Sequence, residues 1–214
     1  MKSRNVSLLA GVSYLIIFFA AIFANFFVLE SILQAPVETI QQNSLTVRFG
    51  IVAFLVTVLF DVVIAWALFE LFKHHPLSRL STYFRLMHAA IMGVAIFALP
   101  LALSKNTAED ILYQAEIFNT IWGIGLFFFG MHLILLGKII KSPFVISIFL
   151  MIAGAMYMID TLAHFLLEDY ASYATIMLTL VALPSIFGEM AFAVWLLAKG
   201  GKSETVRMKK KFKT

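Results

Sequence analysis

Four ionisable side chains in otherwise apolar stretches are the residues of this chain best suited to chemistry: Asp61, Arg85, His132 and Glu189. Two carboxyls and an imidazole supply acids, bases and metal ligands, and a guanidinium supplies a permanent positive charge. We expect these four side chains to converge in one cluster, with Arg85 close to Asp61 or Glu189. His88 follows Arg85 at i+3 on the same helix face, and we interpret it as a packing histidine. An arginine that snorkels to the headgroups is the alternative for Arg85.

A second set of polar residues lies toward the opposite membrane face and consists of Asn25, Asn119, Asp160 and His164. His164 follows Asp160 at i+4, so the two side chains share a helix face. We predict a second, outer cluster from these four residues. A local hydrogen bond between Asp160 and His164 at the membrane interface is the alternative interpretation.

Six long apolar runs carry these residues. Of the residues in the chain, 62% are hydrophobic and 13% are charged, and the mean hydropathy is +0.95. In a soluble domain roughly a quarter of the residues are charged. A backbone in lipid must satisfy its own hydrogen bonds, so each run is predicted to be a spanning helix. The first run is too long for a signal peptide and lacks a small-x-small cleavage site, so we expect it to be retained. The predicted spans are 6–29, 49–72, 82–103, 117–137, 143–166 and 173–198.

The basic residues predict how these spans are oriented. Of the 16 Lys and Arg, 14 lie on the side of the two termini, and only Arg48 and Lys105 lie on the other side. By the positive-inside rule both termini are cytoplasmic. We therefore predict an all-α polytopic membrane protein, with residues 1–200 as one six-helix bundle and 201–214 as a basic cytoplasmic tail. The tail is expected to lie against anionic lipid, and we expect no nucleic-acid partner.

Three functions remain open from the residues alone. The first is a non-enzymatic binding site, transporter- or receptor-like, for a proton, an ion or a small amphiphile; Pro184 in the sixth span, followed by Gly188 and Glu189, is typical of such sites. The second is an intramembrane enzyme that acts on a lipid or another amphiphile by metal or acid–base chemistry. The third is a b-type haem protein with His88 and His132 as axial ligands.

No metal or cofactor is expected in this protein. The chain has no Cys, so thiolate ligands and a cysteine nucleophile are excluded, and it has no His-x-x-x-His motif. A non-enzymatic role is favoured over an enzymatic one, and the question stays open at this point.

Several segments that carry these residues resemble a bacterial six-helix membrane family known as a domain of unknown function (number four-three-eight-six). The segments are 61–68 (DVVIAWAL), 83–86 (YFRL), 118–122 (FNTIW), 129–137 (FGMHLILLG), 157–160 (YMID) and Gly188-Glu189 with 195–200 (WLLAKG). The resemblance covers about residues 5–200. It implies a six-helix fold and a bacterial plasma-membrane location, but no activity. The polar residues of the family's pattern resemble five residues of this chain: Asp61, Arg85, His132, Asp160 and Glu189. The resemblance does not extend to His88 or His164.

The predicted orientation is tested by labelling from outside intact cells. A cysteine replacing Thr107, between the third and fourth spans, should react with an impermeant thiol reagent. A cysteine replacing Ser203, beyond the sixth span, should react only after the membrane is opened. The native chain has no Cys, so each signal comes from a single site. Labelling of both positions from the same side would contradict the topology.

Overall fold

Six helices in the computed structural model are long and apolar enough to span a membrane, as predicted. The structure describes residues 3–140 and 142–200, so the predicted tail, 201–214, lies outside the described residues. The helices are α1 (Ser3–Gln34), α2 (Ser44–Phe72), α3 (Ser78–Ala102), α4 (Ala108–Ile139), α5 (Phe144–Leu166) and α6 (Ala174–Ala198). A short helix, Pro36–Gln42, joins α1 to α2. The all-α, six-span prediction is confirmed.

The six helices are arranged in a ring. Each helix packs against the next one in sequence, and α6 returns to pack against α1. The Arg4 guanidinium donates to the carbonyls of Leu196 and Gly200, both at 3.0 Å, and to that of Leu197. These carbonyls at the end of α6 have no intrahelical partner, and a cation there also suits the helix dipole. The start of α1 and the end of α6 therefore share one end of the bundle, the terminal end; the opposite one is the distal end.

The apolar interior is divided into two cores along the bundle axis. The core of the terminal half draws on five helices, with Tyr14 of α1, Leu133 of α4 and Phe192 of α6 among its members. The core of the distal half, which includes Phe54 and Phe118, draws only on α1 to α4 and the short helix. The distal halves of α5 and α6 contribute no residue to it. The ring is therefore well packed near the terminal end and unevenly packed near the distal end.

Local sequence accounts for some of the helix boundaries and irregularities. Thr107 caps α4: its hydroxyl accepts from the Asp110 amide at 3.2 Å, and Asp110 also suits the first turn of the helix dipole. Pro100 has no amide hydrogen for the Ile96 carbonyl, so α3 has a turn at Ile96, and Leu99 donates to that carbonyl instead. The π-helical segment Phe23–Leu29 within α1 was not predicted from the sequence.

Two glycines allow α4 and α5 to cross closely. A Cβ added at Gly154 would lie 2.5 Å from the Gly130 carbonyl oxygen, and a Cβ added at Gly130 would lie 2.5 Å from that of Gly154. Small residues at a crossing let backbones approach, which is how helices associate in lipid. This crossing holds α5 against the helix that carries His132.

Replacing Gly154 with alanine should lower the free energy of unfolding by about 1–3 kcal/mol, because the new methyl group must push the two backbones apart. The matched control is Gly123→Ala on α4, where an added Cβ meets nothing within 4 Å. That variant should be neutral or slightly more stable, since alanine favours helix. Denaturant unfolding in detergent micelles measures both changes. Equal stabilities for the two variants would contradict the close crossing.

Candidate functional site

Arg85 lies at the centre of the bundle and connects four helices. Its side chain on α3 is 1% exposed, so it does not reach the headgroups. One guanidinium nitrogen, Nη2, donates to Asp61 Oδ1 on α2 at 2.6 Å. The other, Nη1, donates to the Tyr14 hydroxyl on α1 at 2.9 Å and lies 3.1 Å from His132 Nε2 on α4. The prediction that Arg85 lies close to Asp61 or Glu189 is confirmed for Asp61, and the snorkelling alternative is wrong.

The contacts of His132 determine its protonation state. A guanidinium only donates hydrogen bonds, so His132 Nε2 must accept from Arg85 and carry no hydrogen. The hydrogen is then on Nδ1, which lies 3.0 Å from the Ser81 carbonyl oxygen. The Ser81 hydroxyl donates to the His132 carbonyl at 3.4 Å and completes the exchange between α3 and α4. His132 is therefore a neutral imidazole held on both sides.

His88 belongs to the same network, although the sequence suggested a packing histidine or, in the haem alternative, an axial ligand. Its Nδ1 lies 3.0 Å from the Gly125 carbonyl oxygen on α4, and this nitrogen therefore donates. Its Nε2 lies 3.5 Å from Asp61 Oδ2, whereas Asp61 Oδ1 binds Arg85. Both carboxylate oxygens of Asp61 thus face a basic group. This is the arrangement that an acid needs to remain ionised in a low-dielectric interior.

Aromatic rings surround the buried charge. The carbon centre of the Arg85 guanidinium lies 5.0 Å from the Tyr14 ring centroid and 5.2 Å from that of Phe129, which is cation–π geometry on two sides. The Phe129 ring also lies between the two histidines, 4.6 Å from His88 and 5.9 Å from His132. The ring nitrogens of both histidines already face protein groups. The geometry therefore argues against these two histidines as axial haem ligands.

Glu189 lies near this network without joining it. Its side chain on α6 is half-buried, and its charge is within electrostatic range of Arg85 and of Tyr157 on α5. No hydrogen bond or ion pair links Glu189 to residues 3–140 or 142–200. Glu189 lies just under one turn distal of Phe192, whose ring packs edge-on against Tyr14. The structure therefore leaves a carboxyl group of a spanning helix without a bonded partner among the described residues.

One donor of Arg85 also lacks a partner. Its Nε is buried and, within the part of the chain that the structure describes, forms no hydrogen bond. A buried guanidinium donor is costly to leave unpaired. The described residues contain no group of three or more His, Asp or Glu side chains arranged to hold a metal ion.

The second predicted set does not form one cluster. The Asn25 amide donates to the Ala21 carbonyl of its own helix at 2.9 Å, and Asn119 is exposed on α4. Asp160 accepts from the Tyr170 hydroxyl at 2.7 Å, and His164 is exposed with its ring edge-on to Tyr170 at 4.8 Å. The sequence suggested a hydrogen bond between Asp160 and His164, but the partner of Asp160 in the structure is Tyr170. Burial and the Asp160 carboxylate raise the pKa of Tyr170.

Tyr14, Ser81 and Phe129 are the members of the site that the sequence did not identify. Tyr14 lies in an apolar run, but Ser7 and Gly11 precede it at helical spacing and mark a polar or small face on α1. Ser81 precedes Arg85 by four residues, so the two side chains share a face on α3. These two spacings could have indicated Tyr14 and Ser81 from the sequence. Phe129 offered none, because phenylalanines occur throughout the spans.

Replacing Arg85 with methionine should lower the free energy of unfolding by about 3–5 kcal/mol, because Asp61 would remain buried without its main partner. The double replacement Arg85→Met with Asp61→Leu should recover much of that loss, since neither charge remains. Denaturant unfolding measures both, with Arg48→Met, at an exposed position of α2, as the control. A loss for Arg85→Met no larger than that for Arg48→Met would rule out a buried pair.

Comparison with known proteins identifies the family of this chain. The family model described as Domain of unknown function (DUF4386) matches residues 9–200. A relative from Archaeoglobus fulgidus, described as an uncharacterized protein, is 30% identical over 164 residues, which cover 74% of this chain and 88% of the relative. No solved structure matches the chain. The chain, a multi-pass helical membrane protein, therefore belongs to the family described as Domain of unknown function (DUF4386).

Proposed function

We propose that this protein is not an enzyme and that it binds a proton or another small cation at Glu189, in the centre of the membrane. The observation that supports this proposal is the position of Glu189: a carboxyl group in a spanning helix, half-buried, with no bonded partner among the described residues. An isolated carboxylate in a low-dielectric interior is strongly unfavourable. Such a group must take up a proton or attract a cation, so cation binding is its simplest role.

The Arg85 network would prepare this site. Arg85 is neutralised by Asp61 and fixed by Tyr14 and His132, so its charge stays in one place when Glu189 gains or loses a cation. Fixed dipoles and charges of this kind need no rearrangement when a ligand arrives. In this proposal Asp61, Arg85 and His132 position the site, and Glu189 contacts the ligand.

The same contacts favour binding over the alternative of an intramembrane enzyme. Asp61 and His132 are committed to Arg85, and His132 Nδ1 is committed to Ser81, so neither side chain is free to act as a base. An acid–base mechanism requires such a group within hydrogen-bond reach of substrate. In this proposal three of the four predicted residues form a static network, and the fourth, Glu189, is the acid that a ligand can reach.

The location of the protein is part of the proposal. The basic residues favour a cytoplasmic location for the terminal end and contact of the tail, 201–214, with anionic lipid, and the family resemblance favours a bacterial plasma membrane. In this orientation Glu189 lies near the midplane, about 14 Å from the end of α6 at 1.5 Å per residue. A cation at Glu189 would then lie about halfway across the bilayer.

Infrared spectroscopy of the protein in neutral lipid membranes tests the proton site. A protonated carboxyl group in an apolar setting gives its own C=O stretching band. We expect this band to disappear as the pH is raised and to be missing at all pH values in Glu189→Gln. Glu168→Gln, at an exposed position beyond α5, should retain it. A band that persists unchanged in Glu189→Gln would contradict the proposal.

A further inference from the structure

The seam between α1 and α6 is tightly closed in the terminal half of the bundle. Arg4 and the Ser7 hydroxyl donate to carbonyls at the end of α6, with Ser7 2.8 Å from the Leu196 oxygen. A Cβ added at Gly11 would lie 2.6 Å from Leu197 Cγ, so the helices also touch there. Tyr14 and Phe192 are the next pair, with ring centroids 5.8 Å apart.

Distal of Tyr14 and Phe192 the seam has no comparable contact. None of residues 15–23 of α1 is buried, although buried residues lie on either side of this stretch. None of residues 174–180 at the start of α6 is buried either. The core of the distal half takes no residue from α5 or α6. The ring of helices is therefore open to lipid along the distal half of the α1–α6 seam.

Glu189 lies at the closed end of this opening. Helical spacing places Glu189 on the face of α6 that carries Phe192, and places Phe18 and Ala21 on the face of α1 that carries Tyr14. The opening thus has an apolar wall and one carboxyl group at its base. The π-helical segment of α1 begins at Phe23, beside the opening, and such irregularities are frequent at functional sites.

We infer that the distal half of the α1–α6 seam is a lateral entrance through which a cationic amphiphile reaches Glu189 from the membrane. This inference rests on the proposed cation site and names its ligand: an alkyl chain with a quaternary ammonium or amine head. The chain lies beside Phe18 and Ala21, where lipid already reaches, and the head pairs with the carboxylate. An anionic head is repelled by Glu189, and a neutral acyl chain leaves the carboxylate without a counter-ion.

Spin-labelled alkyl probes in phosphatidylcholine vesicles test this inference by electron spin resonance, at a pH above that at which the infrared band of Glu189 disappears. The probes are an alkyltrimethylammonium and an alkylsulfonate with the same chain and label. We expect the motionally restricted fraction to show a preference of roughly tenfold for the cationic probe, or about 1.4 kcal/mol of binding free energy. Glu189→Gln should abolish the preference. Equal restriction of both probes, or a preference that survives in Glu189→Gln, would overturn the inference.

The route is tested by narrowing the entrance. Ala21→Phe adds a ring on the open face of α1 and should lower the motionally restricted fraction of the cationic probe severalfold. Val12→Phe adds the same ring at an exposed position on the opposite face and should leave it unchanged. Equal effects of the two variants would overturn the entrance. The infrared band of Glu189 in the same membranes keeps the two proposals apart: a band without probe preference removes the amphiphile and leaves the proton site intact.

Discussion

Burial of the Arg85 guanidinium in the centre of a membrane protein is the constraint on which the rest of the structure depends. A permanent charge cannot be neutralised by losing its proton, so the surrounding helices must neutralise and solvate it. Asp61 supplies the opposite charge, Tyr14 and His132 accept the remaining hydrogen bonds of Nη1, and two aromatic rings cover the flanks. The three hydrogen-bonding partners come from three different helices, so satisfying one side chain fixes α1, α2, α3 and α4 relative to one another.

The packing on either side of this charge follows from where its partners lie. All four helices that contact Arg85 continue into the distal core, whereas α5 and α6 join the bundle through the terminal core. α5 is held by the close crossing at Gly130 and Gly154, and α6 by Arg4 and the Tyr14–Phe192 contact. The distal half of α6 therefore contributes no residue to either apolar core. The closed terminal half and the lipid-exposed distal half of the α1–α6 seam both follow from this placement of the partners of Arg85.

The sequence predicted the architecture because lipid leaves a hydrophobic run little choice of structure. It also predicted the partnership of Arg85 with an acid, since a charged residue in a span requires one. It did not decide between Asp61 and Glu189, because depth along two helices does not say which faces converge. It set His88 aside on family resemblance, whereas the ring lies beside Asp61 and Gly125. The second set, with Asn25 and Asn119, failed to converge because similar depth does not bring different helix faces together.

The charge balance of the centre explains why Glu189 differs from the other three predicted residues. Arg85 and Asp61 cancel each other, and the hydrogen bonds of His132 require its neutral form. These three residues can therefore be buried together without any ligand. Glu189 adds a further acid for which the network has no remaining cation except a protonated His88, and His88 already faces Asp61. Electroneutrality in a low-dielectric interior then requires a positive charge from outside the network whenever Glu189 is ionised. A closed structural core would not need such a group beside it, and this imbalance is the physical argument for a binding site rather than an architectural one.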